Sequence, residues 1–160
     1  MYGDPHLVTL DGYKYTFNGK GEYIIIETSD NSFTLQARME EALDKDGSPA
    51  GATIFTAVVA KEKDSDAVQI QLWESRLVAV VDGEIYNIFE KESFKGVEVS
   101  RKGLTTISAL FSSSSAYIEV SKNEDSISQP FISTLIVSLP RSFKGKTRGC
   151  LLYTSDAADE

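Results

Sequence analysis

Residues 76–89, RLVAVVDGEIYNIF, carry the strongest indication of fold class in this 160-residue chain. Two apolar runs are separated only by Asp82 and Gly83. A two-residue hairpin turn of type I′ needs positive φ at both central positions, and Asp-Gly meets that need at low conformational cost. The stretch therefore predicts a tight antiparallel β-hairpin.

The segments on either side of this hairpin show a similar strand-forming pattern. In residues 33–39, FTLQARM, every second residue is apolar, which places Phe33, Leu35, Ala37 and Met39 on one face of a strand. In residues 13–17, YKYTF, three aromatic residues alternate with polar ones in the same way. Further strand-like segments are residues 22–28, 53–60, 67–74, 97–103, 104–111, 116–121 and 131–140.

Turn residues separate these segments at intervals of about 8–12 residues, a spacing typical of β-sandwiches and barrels. Many short strands in one chain bury their apolar faces by packing two sheets face to face. The sequence thus predicts an all-β fold, a two-layer antiparallel β-sandwich of about ten to twelve strands. Residues 40–51 are predicted to form a polar loop, and residues 39–45, MEEALDK, are the one candidate for a short helix.

Composition narrows the classes of function. With 41% hydrophobic and 25% charged residues, the chain has the makeup of one soluble globular domain. Its formal net charge of −8 argues against nucleic acid as a partner, because phosphate binding needs a basic surface. No apolar run approaches the roughly 20 residues of a membrane span, so we expect no direct membrane insertion by this segment. The single cysteine, Cys150, allows no intrachain disulfide and by itself suggests an intracellular protein.

The last eleven residues, Cys150–Glu160, differ in composition from the rest of the chain. They resemble the translation of a transposase-type sequencing adapter, and we predict that they are not native protein. The native domain would then comprise residues 1–149, truncated at its C-terminus, with a net charge of −5 after removal of three acidic residues. The alternative is a short amphipathic C-terminal segment.

Turnover catalysis has little support in the sequence. His6 is the only histidine, and no Gly-x-Ser-x-Gly motif, zinc-ligand cluster or glycine-rich phosphate loop is present. The serine run Ser112–Ser115 is predicted to be a flexible polar loop. The chain is therefore predicted not to be an enzyme in the usual sense.

Aspartates at predicted turns raise the question of calcium. Residues 44–47, DKDG, resemble the start of a calcium loop but lack the third ligand and the closing glutamate. A solvated acidic loop explains them better. Asp82 and Asp11 each precede a glycine, and a turn accounts for both.

Asp4, Pro5 and His6 allow a different chemistry. The Asp4 carboxyl can attack its own backbone carbonyl, close a five-membered anhydride and release the nitrogen of Pro5. His6 could supply the proton that the leaving amine needs. The alternative is an ordinary Asp-Pro turn.

Residues 3–26, GDPHLVTLDGYKYTFNGKGEYIII, closely resemble the N-terminal signature of the von Willebrand factor type D domain. The shared pattern is Gly-Asp-Pro-His, a short strand, Asp-Gly, Tyr-x-Phe, Gly-x-x-x-Tyr and an apolar strand. The resemblance implies an extracellular β-sandwich module of mucins, adhesion proteins, matrix proteins or yolk lipoproteins. Gly21 stands where many members have a cysteine, so the chain is similar to the cysteine-free variant in mucin-4-like, sushi-domain-containing and mesh-like proteins.

The resemblance also implies two sites. Asp11 matches an aspartate that contributes to calcium binding, but the Asn/Asp-rich loop expected after Gly149 is replaced by the adapter-like tail. Calcium is therefore expected to bind weakly or not at all to this chain. Asp4-Pro5 matches a bond that some mucin-type members cleave autocatalytically.

The expected function is a non-catalytic structural or interaction module at the cell surface, with the signal and anchor outside this segment. Its expected partners are other extracellular or matrix proteins, or neighbouring domains of the same chain. Two alternatives stay open, a self-processing module that cleaves Asp4-Pro5 and an accessory domain of a lipid carrier.

Overall fold

The structure, a computed structural model, describes residues 20–124 and 129–149 and, ahead of them, the strands His6–Val8 and Lys14–Thr16. The described elements are fourteen strands and one 3-10 turn at Arg141–Phe143. The prediction of an all-β fold is confirmed. The strands are β1 His6–Val8, β2 Lys14–Thr16, β3 Gly21–Thr28, β4 Phe33–Leu43, β5 Pro49–Glu62, β6 Val68–Trp73, β7 Arg76–Val81, β8 Glu84–Tyr86, β9 Lys91–Phe94, β10 Val97–Lys102, β11 Thr106–Phe111, β12 Tyr117–Lys122, β13 Ile132–Ser138 and β14 Thr147–Arg148.

Twelve of these strands form one antiparallel sheet, and β1 and β2 pair separately. The main path runs β14-β3-β4-β5-β13-β12-β11-β10-β9, and β6, β7 and β8 branch from β5. β5 makes this branch because residues 57–60 pair with β6 while Phe55 pairs with Ile132 of β13. The strands β14 and β3 to β8 form one arm of the sheet, and β9 to β13 form the other. The two arms face each other, with β7 in contact with β11 and β12. The two layers therefore belong to a single sheet that divides at β5.

The core lies between the two arms and follows the predicted alternation. Phe33, Leu35, Ala37 and Met39 of β4 are all buried, and the residues between them face outward. Phe33 meets Phe111 of β11 edge to face, with ring centroids 5.4 Å apart and an interplanar angle of 75°. This pair joins one arm to the other through an arrangement that aromatic rings favour.

The hairpin at Asp82 and Gly83 forms as predicted. Asp82 has φ of 51° and Gly83 has φ of 79°, which are the positive values that a type I′ turn requires. Val81 and Glu84 pair directly across the turn. The φ of Gly83 is one that a glycine adopts without steric cost, so the local sequence is enough to set this corner.

No helix forms at residues 39–45, the one candidate position, and the predicted loop at 40–51 is too long. β4 continues to Leu43, β5 already begins at Pro49, and only residues 44–48 connect them. Pairing with β5 holds this segment extended across register shifts at Arg38/Met39 and Glu41/Leu43. Buried Met39 and Ala42 gain more from the sheet than local helix propensity offers.

Within the described residues, we find no helix with the length and apolar character needed to cross a membrane.

Candidate functional site

The residues predicted for self-cleavage and calcium lie almost entirely outside the described part of the chain. This holds for Asp4, Pro5 and Asp11. His6 begins β1, where its backbone lies opposite Thr16 of β2, but its side chain is not among those described. Self-cleavage and calcium binding therefore stay predictions, as does the assignment of residues 150–160, which also lie outside.

The described turn aspartates have structural roles. The backbone N–H groups of Ser32, Ser48 and Lys95 donate to the carboxylates of Asp30, Asp46 and Asp66, at 3.0, 3.0 and 3.1 Å. The bonds at Asp30 and Asp46 close local turns with a side-chain oxygen as the acceptor, whereas the bond at Asp66 ties the β5–β6 turn to a residue 29 positions away. In the part of the chain that the structure describes, no three potential metal ligands of the His, Cys, Asp or Glu type cluster together.

Asp30 makes the stability of the β3–β4 turn depend on pH. Hydrogen bonds from the hydroxyl and backbone N–H of Ser32, and from the Thr28 hydroxyl, lower the pKa of Asp30 from 3.8 to about 2. The folded state favours the ionised form, so this contribution is present above pH 3.8 and is lost as the pH falls towards 2. We expect Asp30→Ala to lower the free energy of unfolding at pH 7, and the gap to the wild type to close between about pH 4 and pH 2.

Chemical denaturation across this pH range measures the effect. Asp64→Ala, which changes an exposed carboxylate in the β5–β6 turn, is the matched control and should leave the β3–β4 turn unaffected. A gap of equal size at pH 7 and pH 2 would mean that the charge of Asp30 has no part in holding the turn.

Glu62 anchors the serine run. Glu62 is the last residue of β5 and is only 3% exposed. Its carboxylate accepts hydrogen bonds from the backbone N–H groups of Ser114 at 2.7 Å and Ser113 at 3.2 Å. The predicted flexible loop is therefore tied to the opposite arm of the sheet. A buried carboxylate is tolerated here because two donors replace its water.

Arg101 of β10 joins three other segments at one end of the sandwich. Its guanidinium donates to the backbone carbonyls of Leu77 at 2.6 Å and Leu104 at 3.5 Å, and to that of Ile88. Partial burial, and then the positive charge of nearby Arg76, lower the pKa of Arg101. One cation thus fixes β7, the stretch after β8 and the β10–β11 turn against one another.

Exposed apolar side chains project from these same segments. Phe89 is 82% exposed and Leu104 is 88% exposed, on the two stretches that Arg101 holds. Trp73, 49% exposed, pairs with Arg76 across the β6–β7 turn, and Arg76 donates to Asn87 at 3.1 Å. We call the side chains of Trp73, Glu74, Arg76, Phe89, Glu90 and Leu104, with Arg101 beneath them, the end surface.

Comparison with known proteins identifies the kind of domain. The family model for the von Willebrand factor type D domain matches residues 1–160. The chain belongs to this family. The resemblance seen at residues 3–26 therefore extends over residues 1–160.

Three relatives show where such domains occur. The chain is 32% identical to human Sushi domain-containing protein 2 over 164 residues, covering 99% of the chain and 19% of that protein. It is 32% identical to Protein mesh of Bombyx mori over 165 residues, with 93% and 10% covered. It is 30% identical to human Mucin-4 over 167 residues, with 94% and 3% covered. The chain thus spans a fifth or less of each relative.

Sequence reasoning did not single out Glu62 or Arg101. Each acts on residues far away in the chain, since Ser113 is 51 positions from Glu62 and Leu77 is 24 positions from Arg101. For Glu62 the sequence offered one local indication, a charged residue at the end of a strongly apolar strand. The same pattern is equally typical of a residue in a solvated turn.

Proposed function

We propose that this type D domain is a non-catalytic extracellular structural and interaction module of a larger adhesion, mucin-like or matrix protein. The observation that carries the proposal is the match along nearly the whole chain to a small part of Mucin-4, mesh and Sushi domain-containing protein 2. A domain that recurs in much longer proteins of this type serves them best as a stiff building block that presents a surface.

The geometry of the described residues supports a binding role. The carboxylates of Glu62, Asp30 and Asp66 hold backbone turns and loops together. Exposed Trp73 and Phe89 lie with Arg76 at one end of the sandwich. Aromatic residues and arginine are the types most enriched at the centre of protein interfaces.

Calcium fits this proposal only through residues outside the described ranges. Calcium takes about six to eight oxygen ligands, and the described residues hold no cluster of three acidic groups. Asp11 alone would not hold the ion against water. We therefore propose weak or absent calcium binding for this chain, with Asp11 contributing one ligand.

Cell-surface display tests the proposed function. Residues 1–149 are placed behind a secretion signal and ahead of a membrane anchor on non-adherent cells, and the same anchor without the domain is the control. We expect the displayed domain to increase either cell aggregation or attachment to an extracellular-matrix coating. Retention inside the cell, or adhesion equal to that of the anchor alone, would contradict the proposal.

Self-cleavage at Asp4-Pro5 is the second candidate, favoured by the position of this bond immediately before β1. Attack of the Asp4 carboxyl on its own carbonyl would form an anhydride and expel the Pro5 nitrogen, which takes up a proton, and water would then open the anhydride. The same bond lies in the Gly-Asp-Pro-His motif that the family shares.

A fusion protein makes this cleavage visible, because the loss of only four residues is hard to detect on a gel. With a soluble carrier protein attached ahead of Met1, incubation at mildly acidic pH should release the carrier as a separate band. Asp4→Ala should stay intact, and Asp11→Ala, the matched control, should still be cut. An uncut wild type, or an Asp4→Ala variant that is cut, would defeat the candidate.

A further inference from the structure

A shallow trough runs along the outer face of β5, where short side chains lie between longer ones. Val59 pairs with Gln36 of β4 on one side and with Gln69 of β6 on the other. Cross-strand partners project from the same face of a sheet, so the two glutamines form walls on either side of Val59. Two adjoining cavities of about 160 and 490 Å³ share Gln36 and Val59. The larger cavity has the size of a small-molecule site.

The next row of the trough repeats this arrangement. Ala57 pairs with Arg38 of β4 and with Gln71 of β6. The side-chain nitrogen of Gln69 donates to the side-chain oxygen of Gln71, which leaves the oxygen of Gln69 and the nitrogen of Gln71 for a ligand. Arg38 is already paired with Glu22 at 3.0 Å, and this ion pair closes the end of the trough. The walls thus offer neutral amide donors and acceptors above an apolar floor.

The opposite end of the trough is positively charged. Lys61 and Lys63 line it, and the ion pairs of the described residues involve neither of them. The Lys61 ammonium is held in place by the backbone carbonyls of Glu62 at 3.0 Å and Ser65 at 2.9 Å. The carboxylate of Glu62 is turned towards the other arm, where backbone N–H groups bind it. This end therefore presents two cations in a chain whose net charge is −8.

These groups are complementary to a sugar chain that carries carboxylates. Sugar hydroxyls donate and accept hydrogen bonds, as side-chain amides do, and the C–H face of a sugar ring packs on an apolar floor. A carboxylate on the sugar is attracted by the two lysines. A peptide strand fits less well, because β4 and β6 already take up the backbone hydrogen bonds of β5 on both sides over residues 57–60.

We propose that this surface, the glutamine trough, binds an acidic oligosaccharide. The glutamine trough comprises Gln36, Val59, Lys61, Lys63, Gln69 and Gln71. The amides bind hydroxyl and acetamido groups, and the lysines attract carboxylates. The inference rests on the proposed function, because it names the class of matrix component that the module binds. One side of the ligand stays in water, so we expect a dissociation constant on the order of 0.1 mM.

Titration of the isotope-labelled chain with a hyaluronan octasaccharide, followed by NMR, tests the proposal. This probe carries a carboxylate and an acetamido group on each disaccharide. The side-chain amide signals of Gln36, Gln69 and Gln71 should shift, whereas that of Gln129, which accepts a hydrogen bond from the backbone of Leu43 outside the trough, should not. A chitin oligosaccharide of similar length has the acetamido groups but no carboxylate, and it should bind about tenfold more weakly or worse.

Two variants separate the role of the amides from that of the charge. Gln36→Leu/Gln69→Leu keeps the size of the walls and removes their hydrogen-bonding atoms, and Lys63→Glu reverses a charge at the positive end. Each should weaken octasaccharide binding by about tenfold or more. Lys45→Glu makes the same charge change at an exposed position between β4 and β5, and this matched control should bind about as well as the wild type. Circular dichroism confirms that the variants fold.

A wild type that binds neither oligosaccharide, or binds both equally well, would overturn the proposal. Binding that the glutamine and Lys63 variants leave unchanged would do the same. Cells that adhere through the displayed domain, although the domain does not bind the octasaccharide, would disprove the acidic sugar as ligand and leave the proposed function intact. Octasaccharide binding in solution by a domain that confers no adhesion would instead contradict the proposed function and support the site.

Discussion

Phe111→Ala is expected to lower the free energy of unfolding by about 3–5 kcal/mol, the range for truncating a fully buried phenylalanine. Phe111 has no exposed surface and packs edge to face on Phe33 from the opposite arm of the sheet. The substitution therefore removes apolar burial and opens a cavity at the point where the two arms meet. Denaturation in urea, monitored by intrinsic fluorescence, measures the loss.

Phe89→Ala is the matched control, because this ring is 82% exposed. It should stay within about 0.5 kcal/mol of the wild type, as surface substitutions usually do. A double-mutant cycle with Phe33→Leu and Phe111→Leu should give a coupling of about 0.5–1.5 kcal/mol. A loss below about 1 kcal/mol for Phe111→Ala would show that the arms do not pack as described.

Glu62→Ala is expected to lower the free energy of unfolding by about 2–4 kcal/mol. The substitution leaves the backbone N–H groups of Ser113 and Ser114 without their charged acceptor, and a hydrogen bond to a charged group contributes about 1.5–3 kcal/mol. Glu62→Gln keeps one acceptor oxygen and should lose less. The measurement is the same denaturation series, together with amide exchange at Ser113 and Ser114, which should accelerate in Glu62→Ala.

Glu40→Ala is the control for Glu62, since Glu40 is an exposed glutamate on the outer face of β4. It should leave both stability and the serine amides unchanged. If Glu62→Ala matches Glu40→Ala in both measurements, the carboxylate does not anchor the loop.

Local features of the fold could be predicted from the sequence because their causes are local. The turn at Asp82 and Gly83 depends on two adjacent residues that accept positive φ. The buried face of β4 depends on an alternation read directly from residues 33–39. Both predicted features are present in the folded protein because tertiary packing favours the same conformation as the local sequence at these positions.

The pairing of strands along the sheet could not be predicted from the sequence. β5 is apolar on both faces over residues 57–60, and such a run does not reveal that β4, β6 and β13 all pair with it. The short strands β9 and β14 escaped notice because their residues are mostly polar and exposed. These two strands form because adjacent strands of the sheet offer them hydrogen-bonding partners.

The end surface illustrates the same limit for function. Trp73, Phe89 and Leu104 are scattered over 32 positions and look like separate surface residues in the sequence. Strand pairing, together with the hydrogen bonds of Arg76 and Arg101, brings their segments to one place. By contrast, the signature at residues 3–26 indicated the family from the sequence alone, because its residues are continuous in the chain.

The central claim is that both arms of the divided sheet form one cooperative, stiff body that presents its end surface. Native-state hydrogen exchange tests it most directly, through the buried amides of Leu35 in β4 and Ala109 in β11. We expect both to open with the free energy of global unfolding, within about 1 kcal/mol of each other. If Ala109 exchanges about a hundredfold faster or more than Leu35, the arms open separately and the account of a single rigid module is wrong.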